Sequence, residues 1–396
     1  MTVTTQATAA AEVAGKLARL REWLDQHGHP GVVLTGQGPV AWLTAGITDP
    51  IERGAPTGLV WVLVTPETAT LITTNVELPR LRAEEPLAEL GLGAVEVPWH
   101  DAGAPSKAAE EIAGAPAADL AADGHAAFAD ADDDLTALRM RMEPPEQDRL
   151  LALGAAAAGA LEGALRGWTP GERDRDVSAR LVASLEREGI FPACLLLGGD
   201  DRVERYRHPV ATGERMHRHA MAVLVGERGG LHVALTRFAS ADPRASRELA
   251  DACRRAALVE AAMLKACRPG ATYGDVLEAS LGGYADAGHP DAWRQHYQGG
   301  PIGYRQREWE IAPTDVDSRW YAQPVEAGHA IAFNPSVPGG GKVEDTFVVT
   351  ADGLRSITDT GRWPMAPSAP GLPARPQILD LSEGDTMPDH RLERRA

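Results

Sequence analysis

The sequence predicts an α+β protein whose first third is itself α/β, and three observations lead there. Apolar residues at helical spacing alternate with short apolar runs bounded by Gly, Pro and Thr, so helix and strand repeat along the chain. The 396 residues exceed one domain of ordinary size and supply chain for a large core. Between about residues 115 and 145 the composition turns alanine-rich and acidic, then reaches Glu143-Pro144-Pro145, which should stop any helix and mark a boundary. The expected division is a smaller α/β unit over 1–143, an α+β unit over 144–366 and a flexible tail over 367–396.

Residues 12–27 place Val13, Leu17, Leu20 and Leu24 on one helical face, and Gly31 to Gly36 reads as a buried strand closed by glycine. Leu59–Val64 and Ala69–Thr73 lie at hairpin distance around Thr65-Pro66. The acidic cluster Asp130, Asp132, Asp133 and Asp134 reads as a solvated linker or helix start. Residues 146–166 form an alanine-rich helix, and Thr169 is placed to cap a second one over Val177–Glu188. Pro192–Leu197, Met221–Val225 and Leu231–Phe238 read as strands; Ser246–Cys267 and Tyr273–Ala287 read as helices. The tail carries Pro367, Pro370, Pro373 and Pro376 and ends in mixed charge without periodicity.

Composition excludes several classes of function. With 39 Lys plus Arg against 56 Asp plus Glu, the net charge of -17 repels a phosphate backbone or an anionic membrane, so no nucleic-acid or membrane partner is expected. The N-terminus has no basic stretch followed by an apolar one, and no apolar run approaches 18 residues, so a cytoplasmic protein is expected. Cys194, Cys253 and Cys267 are odd in number and form no CxxC pair, which fits a reducing compartment. Gly339-Gly340-Gly341-Lys342 precedes Val343 rather than Ser or Thr, so it lacks the hydroxyl of a phosphate loop and reads as a tight turn. His217-Arg218-His219 reads as a surface loop, and there is no G-x-S-x-G, H-E-x-x-H or strand-linked G-x-G-x-x-G.

Four phrases remain in the second half: Arg268-Pro-Gly-Ala-Thr-Tyr-Gly-Asp-Val276, Ala287-Gly-His-Pro290, Gly299-Gly-Pro-Ile-Gly-Tyr304 and Lys342-Val-Glu-Asp-Thr-Phe-Val-Val-Thr350. Together with Arg207-His208-Pro-Val upstream, and in this order, they resemble the creatinase and Xaa-Pro aminopeptidase family over roughly residues 15–362. The resemblance implies a C-terminal "pita-bread" α+β domain preceded by a small creatinase-like α/β domain, a small-molecule substrate and a homodimer.

The chain departs from that family where the family binds metal. The family's peptidases hold two ions with two Asp, one His and two Glu. The two Asp sit across a hairpin, and symmetric pairing around Glu227 to Gly230 sets their counterparts, Val223 and Ala234, opposite each other. The His position is Gly300 and the first Glu position is Asn334; Glu344 alone survives. Hard dications need several anionic or imidazole ligands, so no metal and no other cofactor is expected.

By the same resemblance His208 matches the histidine with which creatinase transfers protons without a metal, and imidazole suits that role near neutral pH. Glu344, freed from metal duty, is expected to orient His208, bind a cationic group or transfer a proton. Arg307 stands near the peptidases' second catalytic His; Arg305 and Arg307 have forks suited to a carboxylate or oxyanion, or alternatively form an ion-pair ladder with Glu308 and Glu310. Asn334, Tyr304 and His232 complete the expected substrate shell, His232 by strand alternation with Val223 and Ala234. Arg53 lies where dimeric relatives reach into the neighbour's cavity, and Trp42 reads as core. The implied enzyme is a metal-independent C–N hydrolase with His208 as general acid/base. A lyase or cyclase, a binding-only pseudoenzyme and a residual Xaa-Pro metallopeptidase stay open beside it.

Overall fold

A computed structural model describes residues 3–55, 57–119, 128–314 and 317–382. The helix Val3–His27 starts earlier than the apolar spacing alone indicates and buries Val13, Leu17, Leu20 and Leu24. Strand Val32–Gly36 follows, fully buried, antiparallel to Thr57–Val64 and parallel to Ala117–Ala118. Thr57–Val64 turns into Ala69–Thr74 with Val64 opposite Ala69. Adding Gly93–Val97 and Ala129–Asp130 completes a six-stranded mixed sheet. The Asp119 carboxylate accepts the backbone N–H groups of Thr35 and Gly36 at 2.8 and 2.9 Å, satisfying donors where the central strand ends.

Glu143-Pro144-Pro145 does more than stop a helix. The helix Asp132–Met140, with Asp132, Asp133 and Asp134 in its first turn, has ended before it, and Pro144 opens the next, Pro144–Arg166. Proline suits the first helical turn because its missing N–H has no partner there, and Glu143 and Glu146 cap each other's backbone donors. Thr169 caps nothing: the following helix, Asp174–Arg187, begins after Arg173.

Strands Phe191–Gly199, His219–Arg228 and Leu231–Ser240 form an antiparallel sheet. Its hairpin register corrects the sequence expectation. Gly229 and Gly230 both have positive φ, 59° and 78°, and make a two-residue turn that pairs Arg228 with Leu231. Val223 therefore faces Thr236, and Ala234 faces Val225, two residues off the symmetric pairing. Val223, Ala234 and Thr236 still share one face, because side chains alternate with period two.

Helices Pro243–Ala266, capped by Asp242, and Tyr273–Asp286, capped by Thr272, pack against a second sheet of Gly299–Pro301, Ala330–Phe333, Asp345–Thr350 and Gly353–Ser356. The glycine run turns tightly, as expected, between Ser336–Val337 and Gly341–Lys342. A Cβ at Gly341 would stand 2.3 Å from the Ala252 carbonyl oxygen, so only glycine lets this hairpin lie on the Pro243–Ala266 helix.

The expectation of a flexible tail from 367 is corrected as far as residue 382. Leu379 and Asp380 pair in parallel with Ala239 and Ser240 and add a fourth strand to the Phe191–Ser240 sheet. Upstream, Arg375 is buried with its guanidinium held bidentately by Glu260 at 2.6 and 2.7 Å and paired with Asp345 at 2.8 Å. Proline spacing hid these contacts because the anchors are single side chains, not a periodic pattern. Residues 383–396 lie outside the described residues.

Removing the Arg375 charge strands the buried Glu260 carboxylate and leaves Asp345 with Arg237 as its remaining cation. Arg375→Ala is expected to lower unfolding free energy by roughly 3–5 kcal/mol in urea titration, as breaking a buried ion pair does. A loss below 1 kcal/mol would show that the segment is not anchored there.

Candidate functional site

The site is assembled where the two sheets of the second half meet. Thr236 projects from strand Leu231–Ser240 and its hydroxyl donates to Glu344 Oε2 at 2.9 Å; the Thr236 N–H donates to the Glu344 carbonyl at 3.0 Å. Glu344 precedes strand Asp345–Thr350 and is 1% exposed. Its Oε1 accepts from Arg307 Nη2 at 3.1 Å. Arg307 Nε lies 3.9 Å from Glu310, whose other oxygen accepts the N–H groups of Gln298 and Gly299, both at 2.6 Å. Burial pushes the Glu310 pKa up, and the Arg307 charge and these two N–H groups oppose that.

Beside this carboxylate stands a chain of three nitrogen bases. Lys342 Nζ, on a residue 4% exposed, is 3.1 Å from His296 Nε2, and the same nitrogen is 3.1 Å from His208 Nε2. Burial, with the Lys342 charge adding to it, drives the His296 pKa down to about 2, so the ring is neutral near pH 7. His296 Nδ1 bonds to the Tyr297 carbonyl and must donate there, which leaves Nε2 as the acceptor. Lys342 and His208 compete for that one acceptor lone pair; in the tautomer in which His208 offers its Nε2–H to His296, Nδ1 is its basic nitrogen. Burial and then Lys342 lower the His208 pKa; Glu344 opposes them. Tyr297 lies parallel to the exposed His208 ring at 6.2 Å, and Arg207 ties the loop to the Val337 carbonyl at 2.7 Å and Gln295 at 3.0 Å.

Of the residues expected from sequence, His208, Arg307 and Glu344 are brought together. Asn334 follows strand Ala330–Phe333, and continuing the pairing of Phe333 with Asp345 sets it opposite Glu344. Its Oδ1 is buried without a partner. Four expected residues are used elsewhere. Arg305 clamps Asp132 at 2.6 and 3.0 Å; residues 303–306 are bends rather than a strand, so the two arginines are not held on one face as strand alternation would hold them. The Tyr304 hydroxyl donates to Glu146 at 2.7 Å among the buried charges of Lys16 and Glu12. His232 Nδ1 donates to the Gly303 carbonyl at 3.2 Å at the hairpin end. Arg53 pairs with Glu227 of its own chain at 2.6 Å over the Phe191 ring. Lys342, His296, Thr236 and Glu310 belong to the cluster although sequence reasoning did not single them out for the site. Thr236 was open to detection by alternation from Ala234, and Glu310 by its spacing from Arg307; His296 carries no pattern at all.

The five positions where the resemblance puts metal ligands do not fit a dinuclear centre. Val223 and Ala234 have no donor atoms, Asn334 offers an amide, and Glu344 is already neutralised by Arg307. Gly300 excludes a ligand outright, since a Cβ there would stand 2.5 Å from the Trp309 carbonyl oxygen. Among the described residues no group of three or more His, Cys, Asp or Glu side chains is placed to hold a metal ion.

The sequence profile of metallopeptidase family M24 matches residues 148–351, more than half of the 396 residues. The chain belongs to family M24. No curated protein matches this M24 chain. Its fold is similar to dipeptidase PepE from Mycobacterium ulcerans, 23% identical with a TM-score of 0.72 over 94% of this chain and 98% of that one. Xaa-Pro dipeptidase from Bacillus anthracis is 18% identical with a TM-score of 0.69 over 93% and 100%, and the prolidase from Pyrococcus horikoshii OT3 18% identical with a TM-score of 0.65 over 87% and 98%. The α+β pita-bread assignment made from four ordered phrases is the fold these proteins share.

Titrating the M24 chain with Mn²⁺ in a calorimeter should show no saturable binding of two ions; two bound equivalents would overturn the reading of the donor set. A second expectation concerns acid. Because His296 is neutral in the fold down to about pH 2 but titrates near 6.5 when unfolded, the unfolded chain binds more protons and stability falls as pH drops from 6.5 toward 2. In His296→Gln that slope should be shallower by about one proton at pH 4–5, read from urea midpoints; an unchanged slope would refute a buried neutral ring.

Proposed function

We propose that this M24 protein is a metal-independent hydrolase acting on a C–N bond of a small, carboxylate-bearing substrate, with His208 as the general acid/base. The observation that carries the reading is the Nε2-to-Nε2 contact of His208 with His296. It supports a His208 tautomer that donates Nε2–H and uses Nδ1 as the proton acceptor, in a cavity whose surviving family carboxylate is engaged by Arg307. A lowered pKa keeps His208 in its basic form at neutral pH, which a general base requires.

Chemically, His208 Nδ1 takes a proton from water as the oxygen adds to the carbon of the C–N bond. The same proton then passes to the leaving nitrogen as that bond breaks, so the imidazole ends as it began. Arg307, oriented by Glu344 and Glu310, has N–H capacity for a carboxylate or a developing oxyanion. The Asn334 amide and Lys342 stand beside it, and the Thr236 hydroxyl keeps Glu344 from turning toward the reacting groups. Supporting the hydrolase class are the family itself and the dipeptidases and prolidases that share the fold. A lyase using the same base on a carbon-bound proton is the second reading; the engagement of both Glu344 and Glu310, which leaves neither free to position water, favours it.

The test is turnover on a panel of N-acyl amino acids, dipeptides and amidino acids followed by mass spectrometry. His208→Gln should lower kcat by roughly two to four orders of magnitude. The kcat/KM of the wild type should hold as pH falls through the usual histidine range, then decline once His208 is protonated. Turnover unchanged by His208→Gln would sink the assignment.

A further inference from the structure

His296 has a second face. Its ring and Glu310 form one wall of a cavity of about 710 Å³, within the size range of ligand pockets, whose other walls include Trp293, Tyr297, Trp309 and Trp320. Trp309 and Trp320 stack at 5.6 Å with 11° between their planes, and Tyr321 meets Trp309 edge-on at 5.9 Å. Although Trp320 belongs to the hydrophobic core and Trp309 packs against it, the Trp309 Nε1–H is buried and has no acceptor among the described residues. A buried donor without a partner is costly, and an incoming acceptor would relieve it.

The chemistry of the walls selects among ligands. Aromatic cages with a carboxylate suit ammonium groups. Here, however, Arg294 already covers Trp293 at 4.3 Å and Arg319 covers Trp320 at 5.5 Å, so cations already occupy those ring faces. Glu310 in turn is engaged by two backbone N–H groups and Arg307. The walls that remain suit a neutral flat ring bearing an acceptor, with Arg294, which itself lines the cavity, to meet an attached carboxylate. We infer that this pocket is the specificity site for an aromatic ring on the substrate, placing an aryl or indolyl group against Trp309 and Trp320 while the attached polar part reaches His208.

The substrate class rests on the reading of the His208 cavity as the reaction centre, but the binding test does not require turnover. Indole-3-acetate is the probe, with cyclohexylacetate as the non-aromatic control, titrated calorimetrically into the full chain carrying His208→Gln. The aromatic probe should bind about tenfold more tightly than the control, a preference of the size stacking provides. Trp309→Leu and Trp320→Leu should each abolish that preference, whereas Trp320→Phe, which keeps a ring, should retain it within about threefold. Equal affinity for the two probes, or a preference that survives Trp309→Leu in a chain with unchanged circular dichroism, would overturn the inference. Failure of His208→Gln to affect turnover would strike the proposed chemistry and leave this site standing.

Discussion

The site depends on a buried charge network behind it. Arg237 donates to Asp345 at 2.9 Å and to the Thr358 carbonyl at 2.8 Å, and lies 3.5 Å from Glu162; Asp345 also accepts from the Thr358 hydroxyl at 2.6 Å and pairs with Arg375, itself clamped by Glu260. Charges with so little access to water are tolerated only as a complete set, since each unpaired member costs several kcal/mol. Two dipeptides, Thr236-Arg237 and Glu344-Asp345, stand side by side, and alternation turns one member of each to either side. Arg237 and Asp345 lock the strands from the back, and Thr236 and Glu344 meet at the front. The front contact is positioned by the rear one, so the cavity inherits its geometry from groups that never face it.

At the front the electrostatics differ from those of a metal site. Where the family resemblance sets carboxylates around cations, this chain has the Arg307 guanidinium between Glu344 and Glu310, with the Lys342 amine nearby. Positive charge is thus carried by covalently attached, hydrogen-bonding groups, which suits an anionic substrate. In the proposed reaction proton transfer falls to imidazole, and the one acceptor nitrogen of His296 faces both His208 and Lys342.

Much of this was legible in the sequence, for physical reasons that differ by level. Element types followed from periodicity and from Gly and Pro punctuation, and the pita-bread assignment from phrases whose order is fixed by the chain path. Register was not legible, because it turns on whether Gly229 and Gly230 both adopt positive φ, a choice symmetric pairing ignores. Which arginine enters the cavity was not legible either: Arg305 and Arg307 are chemically identical, and only the Asp132 fork decides between them. His296 and Arg375 act as isolated side chains reaching across the fold, Arg375 115 residues from Glu260, and no local pattern encodes such contacts.

Gly300 and Trp309 are tied together by one close approach of their backbones. The backbone of Trp309 occupies the space a side chain at 300 would need, while the ring of the same residue walls the aromatic cavity. Restoring a metal-binding histidine at 300 would push that backbone away and dismantle the wall with it. A histidine at 300 and the aromatic wall are therefore mutually exclusive occupants of one segment, and a designer could install the first only by surrendering the second.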